Sequence, residues 1–250
     1  MATSSKTPEY LFDLDAGRLC LDFVNTHSRR TGEHLASYAD VVAFVRQSGL
    51  LTQAEADRLR RQAARQPGDA EALLTRAHAL RDALFAIFSA IAAGRQPPEA
   101  DMDAFNFALA TTLSHARVLP TPRGSQPQAQ GPAFVWGWAG DRGASLETPL
   151  WHVVRSAADL LTSAEARSVR ECGAPDCRWL FLDTSKNRSR QWCSMQSCGN
   201  REKARRHYQR VRSTREPAAR PRRAPRRRSS SASQAPLGRS SSASRAPLDG

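Results

Sequence analysis

Apolar positions along the first 165 residues recur mostly at helical spacing. In "SYADVVAFVRQSGLL" an apolar stripe follows Ser37, with Asp40 three residues on as a capping pair, and Gly49 marks the stop. "TQAEADRLRRQAAR" opens with Thr52-x-x-Glu55, a capping box. In "GDAEALLTRAHALRDALFAIFSAIAAG", Leu73, Ala77, Leu80, Leu84, Ile87 and Ile91 share one face, and Gly94 ends the run. Pro97-Pro98 precede a fourth helical stretch, "EADMDAFNFALATTLSH". "TPLWHVVRSAADLLTS" reads as a helix with Thr148 as cap and Pro149 at its first position, and a short helix opens at Ser163.

The pattern changes in three places. "LFDLDAGRLCLDFVNTHSRR" begins with alternation at Leu11 and Leu14 and then crowds Leu19, Leu21, Phe23 and Val24, which predicts an extended entry and a helix over roughly 17–27. "ARVLPTPRG" and "PAFVWGWAG" flank a Gly/Pro/Gln-rich turn. Phe134, Trp136 and Trp138 fall on one face at period two, so a small hairpin is expected. From residue 213 the apolar pattern stops. The Arg-, Pro- and Ser-rich remainder ends in an imperfect tandem repeat, "SSSASQAPLGR" and "SSSASRAPLDG". Such a segment buries too little to offset its ordering entropy, and disorder is expected there and over residues 1–8. The expected fold class is mainly α: a helical domain over 9–165 with a small β-hairpin, a small treble-clef- or ribbon-like four-cysteine module over 168–212, and a disordered basic tail over 213–250.

Charge separates these segments. Residues 1–169 hold 17 Lys/Arg against 18 Asp/Glu, whereas residues 170–228 hold 18 against 5. The net charge of +13 therefore belongs to the end of the chain, where it would attract a polyanion such as nucleic acid. No run of about 18 consecutive apolar residues occurs, so no membrane span is expected. The start lacks a basic stretch followed by an apolar one, so no secretory signal is expected and a cytoplasmic location follows.

Four of the five cysteines lie inside this basic region as two pairs of equal spacing, Cys172-x4-Cys177 and Cys193-x4-Cys198. In a reducing compartment that pattern favours metal ligands over disulfides. Two turns, each carrying two thiolates, close around one tetrahedral zinc ion. With four sulfur ligands the zinc has no open position, so its role is structural. "RWLFLD" between the pairs reads as a strand, and Trp179, Phe181 and Trp192 supply a miniature core. Apolar material is otherwise scarce, and the metal would provide the missing stability. The alternative is four unrelated buried cysteines. Cys20, in an apolar context, reads as a small core residue.

Past Cys198, "GNREKARRHYQRVRSTR" reads as a helix starting near Asn200, a good N-cap type. It carries Arg201, Lys203, Arg205, Arg206, Arg210 and Arg212, together with Asn200 a candidate nucleic-acid-binding set of a size suited to a major groove. The competing reading is a solvated charged helix. Arg178, Arg201 and Lys203 are also candidates for offsetting the formal −2 of a zinc tetrathiolate.

The stretch "CGAPDCRWLFLDTSKNRSRQWCSMQSCGNREKARRHYQR" closely resembles the CGNR zinc finger, whose signature stands here as Cys198-Gly199-Asn200-Arg201. "RLCLDFVNTHSRR" and the helices after it resemble the ABATE domain that precedes this finger in bacterial proteins. Together the likeness covers roughly residues 9–210. It implies a helical N-terminal domain, a C-terminal zinc module and a role in stress-related transcription regulation. By position, Cys172, Cys177, Cys193 and Cys198 carry over as ligands of one structural zinc. Asn200 and Arg201 carry over as a polar pair that braces the finger or meets DNA. Asp22, Asn25 and Thr26 match the family's recurring stretch, and such residues either brace structure or line a ligand pocket.

The leading expectation is a zinc-dependent, nucleoid-associated DNA-binding regulator acting on duplex DNA. Its helical domain would sense a small molecule or pair two copies into a homodimer. The alternatives are an RNA- or ribosome-associated binder, a finger that binds an acidic protein, and an enzyme of unknown reaction in the helical domain. No phosphate loop, nucleophile motif or telling carboxylate pair is visible, so no catalytic residue is expected; His27 and His34 near Asp22 are the only acid–base candidates.

Overall fold

The computed structural model describes residues 9–121, 133–139 and 145–215; for residues 213–215 it describes the backbone only. The expected start over 1–8, the turn between the aromatic strands, and the tail with its repeat from 216 lie outside the described residues. The chain divides into two compact units, Met1–Tyr208 and Gln209–Gly250. Of the second, only the helical stretch up to Arg215 is described.

The helical elements are α1 (Leu19–Val24), α2 (Tyr38–Gln47), α3 (Gln53–Arg65), α4 (Pro67–Ala92), α5 (Glu99–His115), α6 (Thr148–Leu161) and α7 (Asn200–Arg215). Ser37 and Thr52 cap as their chemistry predicts, whereas Thr148, expected as the cap of α6, is its first helical residue and Glu147 holds the cap position. Asp40 accepts hydrogen bonds from the Ser37 amide and hydroxyl, both at 2.8 Å, and Glu55 accepts from the Thr52 amide and hydroxyl, both at 2.7 Å. Three antiparallel hairpins complete the fold: β1 (His27–Ser28) with β2 (Gly32–Glu33), β3 (Ala116–Pro120) with β4 (Phe134–Trp138), and β5 (Val169–Glu171) with β6 (Leu180–Leu182).

Three further sequence expectations change. The first helix spans six residues instead of eleven. Its chain turns out at Asn25 into the β1–β2 hairpin, which periodicity could not reveal in two-residue strands. Of the aromatic face of β4, only Trp138 is buried, donating its indole N–H to His152 Nε2 at 3.2 Å. Trp136 lies half exposed under the Arg155 guanidinium, and Phe134 is exposed. Finally, Asn200 has helical backbone angles and opens α7 as its first residue, not as an N-cap; a π turn, Met195–Gly199, precedes it, and Ser194 caps that turn through the Ser197 amide.

The main core gathers α1, α2, α4 and α6 around Phe23, Phe44, Leu84 and Phe88, and it continues across residue 168. Val169, Leu180 and Leu182 belong to the same cluster. Phe181, between the last two, belongs to a second cluster with the four cysteines and Ala174, against which Trp179 and Trp192 pack. Successive side chains of a strand point to opposite faces. β6 is therefore a wall shared by two cores, one helical and one built around the cysteines.

Candidate metal centre and its basic helix

Each cysteine pair sits on a tight turn. Cys172 is held by its amide donating to the Trp179 carbonyl at 2.8 Å, and the Cys177 amide donates to Ala174 at 3.0 Å. The turn leaves through Arg178, whose φ of 60° is a left-handed conformation held by an ion pair to Glu171 at 2.7 Å and by stacking over Phe85. On the other side, Gly173 donates to the Gln191 carbonyl at 2.9 Å, and the Arg190 guanidinium donates to the Trp192 and Cys193 carbonyls. Asp183 organises the loop between: it accepts from the Ser185 amide and hydroxyl and from the Arg190 amide. Burial alone would push its carboxyl up, but these donors hold it below the usual carboxylate range.

The π turn places Cys198. Its signature bond runs from the Gly199 amide to the Ser194 carbonyl at 3.0 Å, and the turn brings Cys198 back against the first pair. A Cβ on Gly199 would lie 3.2 Å from Trp192 Cδ1, a tight contact, and 2.9 Å from Sδ of Met195, an exposed side chain able to shift.

All four Sγ atoms lie within 4.8 Å of one another and all four residues are buried. Cys177 and Cys193 sulfurs are 3.6 Å apart, and those of Cys193 and Cys198 are 3.5 Å apart. Four sulfurs at about 2.3 Å from a tetrahedral zinc are separated by about 3.8 Å. The cage therefore fits the ion, and a disulfide, at about 2.05 Å between sulfurs, does not. Without a cation Cys172, Cys177 and Cys193 do not ionise together. S–H donation from Cys177 lowers Cys172 to about 2, whereas donating to Cys172 raises Cys177 to about 12, and Cys193 is raised further for the same reason. Cys172 ionises readily and Cys177 and Cys193 do not; a divalent ion is what allows the cage to be a set of thiolates. The centre is a structural zinc site closed by Cys172, Cys177, Cys193 and Cys198.

The predicted basic residues divide by location. Arg201 donates to Cys198 Sγ at 3.2 Å and to Asp176 at 3.4 Å, the position from which a cation offsets thiolate charge. Asn200 donates to the Gln196 carbonyl at 3.2 Å, within the turn. Lys203, Arg205 and Arg206 are exposed on α7; Arg205 and Arg206 both pair with Glu202, at 2.8 and 3.2 Å. Hydrogen bonding from Arg205 holds the Glu202 carboxyl below its ordinary range. Arg210 and Arg212 are exposed further along the same helix, whose 16 residues span about 24 Å.

Asp22, Asn25 and Thr26 are all buried, and each is hydrogen-bonded. Asp22 accepts from the Ala16 amide at 2.9 Å, and burial pushes its carboxyl up to about 7. Thr26 donates to the Phe23 carbonyl at 2.7 Å. Asn25 acts as a one-residue strand on the open edge of β6: its amide donates to the Leu180 carbonyl at 2.8 Å and accepts from the Leu180 amide at 2.9 Å. Ala16 continues that edge by accepting from the Leu182 amide at 2.8 Å. The "LCLDFVNT" stretch thus stitches the helical domain to the zinc module.

Sequence reasoning passed over Arg81. It is buried mid-helix on α4 and makes a bidentate pair with Glu33, both bonds 2.6 Å. An arginine within the apolar run "HALRDALF" was the available signal. The cavities of this unit include an apolar one of about 340 Å³ between α4, α5 and α6, lined by Leu80, Phe107 and Trp151, and a smaller one beside Arg81. Asp22, Asn25 and Thr26 do not line the larger cavity; Asn25 lines the smaller.

Residues 17–164 match the ABATE family, described as "Putative stress-induced transcription regulator", and residues 168–211 match the CGNR zinc finger. Among curated proteins none matches the chain.

Proposed function

The chain belongs to the ABATE family and carries a CGNR zinc finger, and from that premise we propose that it is a transcription regulator that binds duplex DNA through α7. The carrying observation is the exposure of Lys203, Arg205 and Arg206 on a helix that leaves the zinc centre directly after its last ligand. A guanidinium offers five donors, and the bond to Glu202 leaves Arg205 with others for phosphate or base edges. Zinc in this role is structural and the chain performs no catalysis. The helical domain serves as the sensing or pairing module, and the apolar cavity of about 340 Å³ supports a small apolar effector. Its place of action is the cytoplasm, on the nucleoid. Among the described residues no helix is long and apolar enough to cross a membrane.

The test is selection of binding sites from random duplex DNA with zinc-loaded protein, followed by titrations over a salt series. A sequence motif should be enriched. Arg206→Ala should weaken binding about 3- to 10-fold and flatten the dependence of log K on log salt by about one unit. Equal affinity for wild type and variant, or structured RNA displacing DNA at fixed salt, would overturn the assignment.

A further inference from the structure

The cavity of about 340 Å³ is roomy because its walls are made of small residues: Ala79 and Ala83 line it from α4, and Ala104 and Ala108 from α5. One polar side chain in that wall lacks a partner. Thr112 of α5 is 2% exposed, and its hydroxyl makes no hydrogen bond among the described residues. A threonine within a helix commonly donates to the carbonyl four residues back, as Thr111 does to Phe107 at 3.1 Å. Thr112 does not. Its oxygen is not sealed off either: among the described residues the buried side-chain atoms both sealed and unpartnered are Arg46 Nε, Arg81 Nε and Trp179 Nε1. The hydroxyl is therefore accessible, and the open space beside Thr112 is this cavity. The charged residues that line it, Arg76 and Glu147, are paired with each other at 2.8 Å.

We propose that this cavity binds a neutral, mainly apolar molecule of one or two rings that carries a single hydroxyl or carbonyl, received by the Thr112 hydroxyl. The proposal rests on the reading of the helical domain as the sensing module and names the class of molecule sensed. Size, charge and hydrogen bonding each select that class. A cavity of roughly 150 Å³ takes one benzene, so this one takes about two fused rings. Because Arg76 and Glu147 neutralise each other, a charged ligand would lose its hydration and gain no free counter-charge. A plain hydrocarbon would shut the Thr112 hydroxyl away from water without a partner, whereas a hydroxyl or carbonyl satisfies it. Phe107, on the cavity's rim, is 78% exposed, and an occupant would cover part of its ring. Trp151 lines the cavity from α6, and on the same helix Ser156 accepts from the Cys20 amide of α1 at 3.1 Å. The cavity wall therefore adjoins the helix that leads into Asn25 and its bonds to β6.

The experiment titrates full-length, zinc-loaded, ¹⁵N-labelled protein at neutral pH with β-naphthol, with naphthalene as the isostere lacking the hydroxyl and β-naphthoate as the charged one. β-Naphthol should move the Trp151 indole N–H and the α5 amide resonances saturably. Naphthalene should bind about 3- to 10-fold more weakly, and β-naphthoate about tenfold or more. Thr112→Val keeps the shape and deletes the hydroxyl. It should lower β-naphthol to the affinity of naphthalene and leave naphthalene itself within about twofold, a pattern that a damaged fold does not produce. Ala108→Phe fills the space and should abolish saturable shifts with both; if it fails to take up zinc, Thr112→Val carries the test. β-Naphthol that does not saturate, that binds Thr112→Val unchanged, or that binds no tighter than β-naphthoate overturns the proposal. So does a dimer in sedimentation that excludes every probe, because a second copy then covers the cavity. DNA affinity is measured apart: no probe binding with DNA binding intact removes this site alone, whereas a bound probe that leaves DNA affinity unmoved keeps the site and removes the sensing role.

Discussion

Asn25 does the work of a strand with a single side chain. Its carboxamide offers a donor and an acceptor in the geometry of a peptide group, and both are spent on the Leu180 backbone. Alanine there would strand one buried N–H and one buried C=O. The expected loss is about 2–4 kcal/mol, read from urea unfolding of the zinc-loaded protein. Asp22, three residues earlier, has the opposite character. Burial raises its pKa to about 7, the Ala16 amide opposes that rise, and the Asp15 and Asp13 charges add to it. A carboxyl whose folded pKa exceeds its unfolded one, near 4, stabilises fully below the unfolded value. That contribution fades as pH rises towards 7. Between pH 5.5 and 8 the wild type should therefore lose about 2 kcal/mol that Asp22→Asn, which keeps the acceptor for Ala16, does not lose. Parallel pH profiles for the two proteins would refute the assignment.

At the scale of the element, β6 and the π turn before α7 carry the architecture. Three residues suffice for β6 because both faces are used: Leu180 and Leu182 enter the helical core, and Phe181 enters the cysteine cluster. The π turn exists because Cys198 must reach the metal and the chain must then leave as a helix. Its five-residue step resets the register between those two demands. Neither is stable alone, since the second core consists mainly of cysteines with Phe181 and two partly buried tryptophans. Cys193→Ser should lower zinc content from one ion per chain to about a tenth or less. It should also release the turn that holds Cys198; elemental analysis and the ¹⁵N spectrum read the two effects.

At the scale of the described unit up to Tyr208, the helical domain and the zinc module share a core, so their stabilities are linked. Chelating zinc from the wild type should lower the helical domain's own melting midpoint by about 5 °C or more. Hydrogen exchange should quicken at Leu180 and Leu182 and, with them, along α1. A helical transition unmoved by chelation would show two independent domains.

Much of this was legible in the chain itself. Ser37, Asp40, Thr52 and Glu55 announced their helices because capping is chemistry between residues three apart. The zinc centre was legible because two equally spaced cysteine pairs leave few other uses for thiols in a reducing compartment. Asp22, Asn25 and Thr26 stood out as polar residues in an apolar run, and sequence favoured bracing over ligand binding without naming what they brace. The β6 backbone lies 155 positions from Asn25, and no local pattern records that meeting. The same holds for the buried Arg81–Glu33 pair and the cavity between the domains. Sequence by itself determined the helices, the four-thiolate cage and the basic stretch after it, because period, caps and ligand spacing act over a few residues. Tertiary structure alone decided which polar residues are buried and what they touch, because desolvation and hydrogen-bond satisfaction depend on neighbours that arrive from distant parts of the chain.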